Sequence, residues 1–117
     1  MGAGKYLKER TPGMKLIAVE PAESAVMSGC EPGLHGIQGI GDGSKFLVDL
    51  EEIDGVIAVP TECAKATARH LAKNYGLFVG ISAGANVYAS FQWLRDNGQT
   101  NAITILCDRG ERYLSCL

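Results

Sequence analysis

Short apolar runs alternate along this chain with longer stretches in which apolar residues return at helical spacing. Residues 15–20, 55–59 and 102–107 are each brief, apolar, largely β-branched and bounded by turn formers. Such runs predict parallel strands covered on both faces. Residues 76–79 form a weaker fourth candidate. Between them lie three helical patterns. Residues 2–9 are short and amphipathic, and 62–74 place Ala66, Ala68, Leu71 and Ala72 near one face behind Thr61 as N-cap. Residues 83–95 are small and apolar, open behind Ser82, and stop at Asn97-Gly98. The alternation predicts an α/β fold, a parallel sheet of three to four strands with flanking helices. Residues 28–46 break the pattern, being glycine-rich and aperiodic. A loop of that length inside a compact domain is usually functional.

Composition narrows the class without adding chemistry. The 117 residues are read as one unit, 1–117, with a net charge of −2 and no basic patch of the kind that binds nucleic acid. No apolar run is long enough to span a bilayer, and MGAGKYLKER has no signal-peptide core, so a cytoplasmic protein is expected. Cys30, Cys63, Cys107 and Cys116 are irregularly spaced, and His35 and His70 stand apart from them. That spacing fits reduced thiols; no metal site is expected.

One motif invites a catalytic reading. Gly80-Ile81-Ser82-Ala83-Gly84 spells G-x-S-x-G between an apolar run and a helical one, as in a nucleophile elbow. The hydrolase order then requires an acid and a histidine downstream, but both histidines lie upstream. The hydrolase reading therefore fails, and Ser82 stands as a helix N-cap or as a ligand for something bound. Gly2-Ala3-Gly4-Lys5 only faintly resembles a phosphate loop, since Tyr6 stands where a hydroxyl of Ser or Thr is needed. No dinucleotide fingerprint follows a strand.

Taken in order, the motifs resemble those of the cysteine synthase (O-acetylserine sulfhydrylase) family. The likeness rests on Val19-Glu20-Pro21 with Ser24, Pro32-Gly33 with His35, and Ile37-Gln38-Gly39-Ile40-Gly41. It continues through Val79-Gly80-Ile81-Ser82 with Gly84-Ala85, and ends in Gly110-Glu111-Arg112-Tyr113-Leu114-Ser115. The resemblance implies the C-terminal part of a type II pyridoxal-phosphate fold, usually a homodimer. It also implies a β-replacement in which an activated serine loses acetate and sulfide takes its place. Ser82 matches the serine that hydrogen-bonds the pyridine nitrogen of pyridoxal 5'-phosphate. Gln38, Gly39, Ile40 and Gly41 match the loop bordering the substrate side of the cofactor, and the helix at 2–9 would face its phosphate.

The Schiff-base lysine belongs to the N-terminal part, and none of Lys5, Lys8, Lys15, Lys45, Lys65 or Lys73 matches it, so no catalytic residue is assigned here. Cys30, Ser44 to Leu47 and Cys107-Asp108-Arg109 depart from the commoner family pattern, the last toward the B-type isozyme. They leave the substrate open between acetylserine, phosphoserine and others. Expected partners are an amino-acid substrate, a second copy or the N-terminal part, and the C-terminal tail of serine acetyltransferase. The other reading is a non-catalytic module derived from such an enzyme, binding a peptide or metabolite.

Overall fold

The computed structural model describes residues 2–37, 40 and 48–115. Five regular elements follow in the order α1 (Gly2–Arg10), β1 (Ile17–Pro21), β2 (Gly55–Val59), α2 (Thr61–Tyr75) and α3 (Ile81–Asn97). The two strands pair in parallel, with Ile17 opposite Gly55 and Pro21 opposite Val59. Their β-branched residues suit a pleated, covered surface. The result is an α/β fold, a parallel sheet flanked by helices.

The strand count differs from expectation, because the described residues contain two strands rather than three or four. Residues 102–107 join no ladder, and Ile103, Ile105 and Leu106 stand exposed. Apolar character makes a strand possible, but a ladder also needs a neighbouring edge, and no described strand supplies one here. Side-chain contacts hold the run instead, Asn86 donating from Nδ2 to the Ile105 carbonyl at 3.0 Å. The weaker candidate at 76–79 is cut short by the helices on either side. It keeps one isolated antiparallel bridge, Val79 to Arg109.

The strand ends are fastened by side chains. Glu20, 2% exposed, closes β1 and accepts hydrogen bonds from the Met27 and Ser28 amides at 2.7 and 3.0 Å and from the Ser28 hydroxyl. A buried carboxylate satisfied by three donors is a stable turn, not an orphan charge. Lys8 of α1 pairs with Asp54 at 2.7 Å, and Asp54 accepts from the Leu16 amide at the same distance. The Leu16 amide and the Lys8 ammonium hold Asp54 below the usual carboxylate range.

The helices α2 and α3 pack through small residues. On α2 the buried positions are Ala64, Ala68 and Leu71, an i, i+4, i+7 stripe. Ala68 and Leu71 fall as expected. Ala66 instead faces outward and Ala72 is half-buried, because a two-residue step turns about 200° around a helix. On α3 the whole first turn, Ile81 to Ala85, is buried, with Ala89 about one turn beyond Ala85. Gly84 sits at the crossing, where a Cβ would overlap the Ala64 carbonyl oxygen and stand 3.0 Å from the Ala68 amide nitrogen. Both helices end on left-handed glycines, Gly76 (φ 68°) and Gly98 (φ 61°), whose amides close back on Leu71 and Leu94. Ile37, Val59, Ala64, Ile81, Ala85, Ala89 and Tyr113 form the central core, with Ile40 and Tyr88 packed on it.

Candidate functional site

Ser82 is 4% exposed and lies in the first turn of α3, at its second residue. It is therefore not the N-cap. Gly80 occupies that place with extended backbone (φ −74°, ψ 173°), and its carbonyl takes the first helical hydrogen bond from Gly84 at 3.2 Å. The reason lies far along the chain. Asp108 and Tyr113 close over Gly80, where a Cβ would overlap Asp108 Oδ1 and stand 2.8 Å from the Tyr113 ring. Only glycine fits there, so the helix starts one residue before the serine and has no side-chain cap.

Two polar atoms at this helix end are left without protein partners. Among the described residues, none hydrogen-bonds the Ser82 hydroxyl. Asp108 Oδ1 is buried and lacks a partner as well. The other Asp108 oxygen accepts from the Tyr113 hydroxyl, and that bond together with burial pushes the Tyr113 phenol up. The segment is pinned by Gly80 N to Asp108 O and Gly110 N to Phe78 O, both 3.1 Å. A buried carboxylate oxygen such as Asp108 Oδ1 normally finds a partner, which gives this end of α3 the character of a ligand site. A hydroxyl free to donate suits a ring-nitrogen acceptor such as that of pyridoxal phosphate, and the first-turn amides add positive potential.

The remaining expected site residues fall unevenly. Gln38, Gly39 and Gly41 lie outside the described residues. Ile40 is half-buried and packs on the same core as Ile37 and Ile81, so the two sides of the candidate site share one support. Helix α1 carries no acidic residue in its first turn, so no carboxylate there opposes an anion at its N-terminus. Lys5 and Lys8 of that helix are paired with Glu52 and Asp54. The apolar groove between α1 and β1, lined by Leu16, Val19, Met27 and Ile53 among others, carries no titratable side chain. Among the described residues, no group of three His, Cys, Asp or Glu could hold a metal ion, and no helix is long and apolar enough to cross a membrane.

Reading by residue type missed Asp108 and Tyr113 as parts of this site. Their only sequence signal was membership in the terminal motifs. It also missed the second cluster, in which Glu23, Ser24 and Thr61 grip residues 33–37. Thr61 is the first residue of α2 rather than its cap. The cap comes from Glu23, whose carboxylate accepts from the Thr61 amide at 3.0 and 3.1 Å and from its hydroxyl at 3.0 Å. Burial opposes charge on Glu23, but the Thr61 amide and hydroxyl, with His35 nearby, hold its carboxyl below the ordinary value.

The chain is similar over nearly its whole length to known proteins. Cysteine synthase from Staphylococcus aureus (strain Mu50) is 41% identical over 118 aligned positions, spanning 97% of this chain and 37% of that protein. Cysteine synthase B from Campylobacter jejuni is 44% identical over 97% of this chain and 38% of its own. Among solved structures, cysteine synthase from Entamoeba histolytica superposes with a TM-score of 0.92 at 40% identity, covering 98% of this chain and 35% of that one. An O-ureido-L-serine synthase superposes at 0.89 with 33% identity, covering 98% of this chain and 37% of that one. The chain thus spans well under half the length of these relatives. Residues 1–108 match the family described as pyridoxal-phosphate dependent enzyme. With fold and sequence in agreement, the chain belongs to the type II pyridoxal-phosphate dependent enzymes, as a cysteine-synthase-like part of that fold.

Proposed function

We propose that this chain is the C-terminal part of an enzyme that converts O-acetyl-L-serine and sulfide to L-cysteine and acetate. The observation that carries the reading is Ser82, 4% exposed in the first turn of α3, whose hydroxyl has no hydrogen-bond partner among the described residues. Pyridoxal phosphate, when bound, supplies the electron sink for the β-replacement. The Ser82 hydroxyl would donate a hydrogen bond to the pyridine nitrogen and keep its own proton. A neutral donor there leaves the ring largely uncharged, which favours elimination over transamination. Gln38, Gly39, Ile40 and Gly41 wall the substrate side, and the N-terminus of α1 takes the phosphate.

The lysine that anchors the cofactor is supplied by the N-terminal part, as the same or a separate polypeptide, and the assembled enzyme is a homodimer. The chain alone is then inactive. The test combines it with that part, adds pyridoxal phosphate, and follows cofactor absorbance and cysteine formation. Turnover by the assembly and none by the chain alone is expected. Cysteine made by the 117-residue chain would refute the division of labour. A cofactor band that the chain alone retains through dialysis, without turnover, would favour the non-catalytic binding module. Ser82→Ala in the assembly should change cofactor spectrum and turnover while shifting stability by less than about 0.5 kcal/mol, since no cap is lost. An unchanged spectrum would remove Ser82 from the site.

A further inference from the structure

The substrate-side loop is reached through residues 33–37, and that approach is fastened by two hydroxyls on other elements. Ser24 accepts the Gly33 amide on its Oγ at 3.2 Å. Thr61 accepts the Gly36 amide on its Oγ1 at 3.0 Å. The same Thr61 hydroxyl donates to Glu23 Oε1 at 3.0 Å. A hydroxyl has one proton and two lone pairs. Once its proton is committed to Glu23, a lone pair remains to receive Gly36. Backbone packing is equally close. A Cβ at Gly33 would overlap the Glu23 carbonyl oxygen, and one at Gly36 would stand 2.7 Å from Thr61 Cγ2. Ile37 follows at 0% exposure, and Ile40 lands on the same core.

We infer that Glu23 and Thr61 form a latch that positions the substrate-side loop, with Thr61 as the positioning residue and Glu23 orienting its hydroxyl. This rests on the β-replacement reading for its consequence, but not for its geometry. The latch touches neither cofactor nor substrate. It fixes residues 33–37, the approach to that loop, and Ile37 and Ile40 are seated on the core. Loosening it should weaken substrate capture and leave the chemical step alone, because misplacing a binding wall costs affinity before it costs rate.

The experiment compares Thr61→Val, which keeps shape and loses the hydroxyl, with Thr61→Ser, which keeps the hydroxyl. In the assembled holoenzyme, Thr61→Val should raise KM for O-acetylserine about tenfold, the effect of one lost hydrogen bond. Its kcat and resting cofactor spectrum should stay within about twofold of the parent. Thr61→Ser should restore the parent KM. In the 117-residue chain, Thr61→Val should speed amide exchange at Gly36 and Ile37 selectively, relative to the α3 amides. An unchanged KM, or a serine variant no better than valine, would overturn the positioning role. If Thr61→Val does not fold, Ser24→Ala releases Gly33 while leaving the α2 cap intact, and the same KM shift is required of it. A parent assembly without turnover would refute the proposed reaction instead, and the exchange pattern would then decide the latch by itself.

Discussion

Gly84 offers a test in which two ordinary effects oppose each other in sign. Glycine inside a helix costs about 1 kcal/mol relative to alanine, so Gly84→Ala on a free helix face would stabilise α3. At the crossing with α2, however, the new methyl would overlap the Ala64 carbonyl oxygen. It would also stand 3.0 Å from the Ala68 nitrogen and 3.1 Å from the Ala68 Cβ. Two of these three neighbours are α2 backbone, which cannot step aside by changing a rotamer. Restoring ordinary contact at 3.5–4.0 Å requires the helices to separate by on the order of 1 Å. Overpacking of this kind costs about 1–3 kcal/mol, and backbone neighbours place it toward the upper end. The net expectation is a loss of about 1–2 kcal/mol despite the better helix former.

Urea unfolding followed by far-ultraviolet circular dichroism measures it, through a lower midpoint at unchanged slope. Gly84→Ala of equal or greater stability would refute the close crossing. Ser82 shares the same helical turn, so in the assembled enzyme the variant should also perturb the cofactor spectrum.

Two further outcomes follow from the titrating groups. Glu23 is exposed and its folded pKa lies below the ordinary 4.5. Its contribution is therefore present above that value and lost as pH falls through the lowered one. The stability gap between parent and Glu23→Gln, under about 1 kcal/mol at pH 7 for an exposed carboxylate, should close toward pH 3; a gap independent of pH would count against the charged cap. Tyr113 has the opposite sign, its phenol raised above 10.0 by Asp108 and burial, so its contribution is complete below pH 10 and lost as the phenol ionises. Tyr113→Phe should cost about 1–3 kcal/mol, because both Asp108 oxygens would then lack donors, and should remove one late-ionising phenol from the ultraviolet titration. A stable variant, or an unaltered titration curve, would break the Tyr113–Asp108 pairing.

Where sequence and structure agree and part follows the range of the interactions involved. The strand at Gly55–Val59 and the glycine stops of α2 and α3 are local, set by β-branched runs and by glycine at positive φ. The starts of α2 and α3 differ from expectation for one reason: contacts remote in sequence set them. Serine and threonine are good caps on average, yet Thr61 is capped by Glu23, 38 positions earlier. Likewise Gly80, not Ser82, precedes α3, because Asp108 and Tyr113 occupy the space a side chain would need. The run at 102–107 failed as a strand because a strand is a relation between two segments.

The position of Ser82 in its helix bears directly on function. A capping serine would spend its hydroxyl on its own helix. Two residues past the Gly80 cap, Ser82 keeps that hydroxyl unspent, among the described residues, in the first turn of α3. The remote contact that spoils the cap thereby makes a donor available. This is why a G-x-S-x-G without a histidine partner reads better as a ligand contact than as a nucleophile: the glycine before the serine admits the Asp108 carboxylate, and the one after it admits α2.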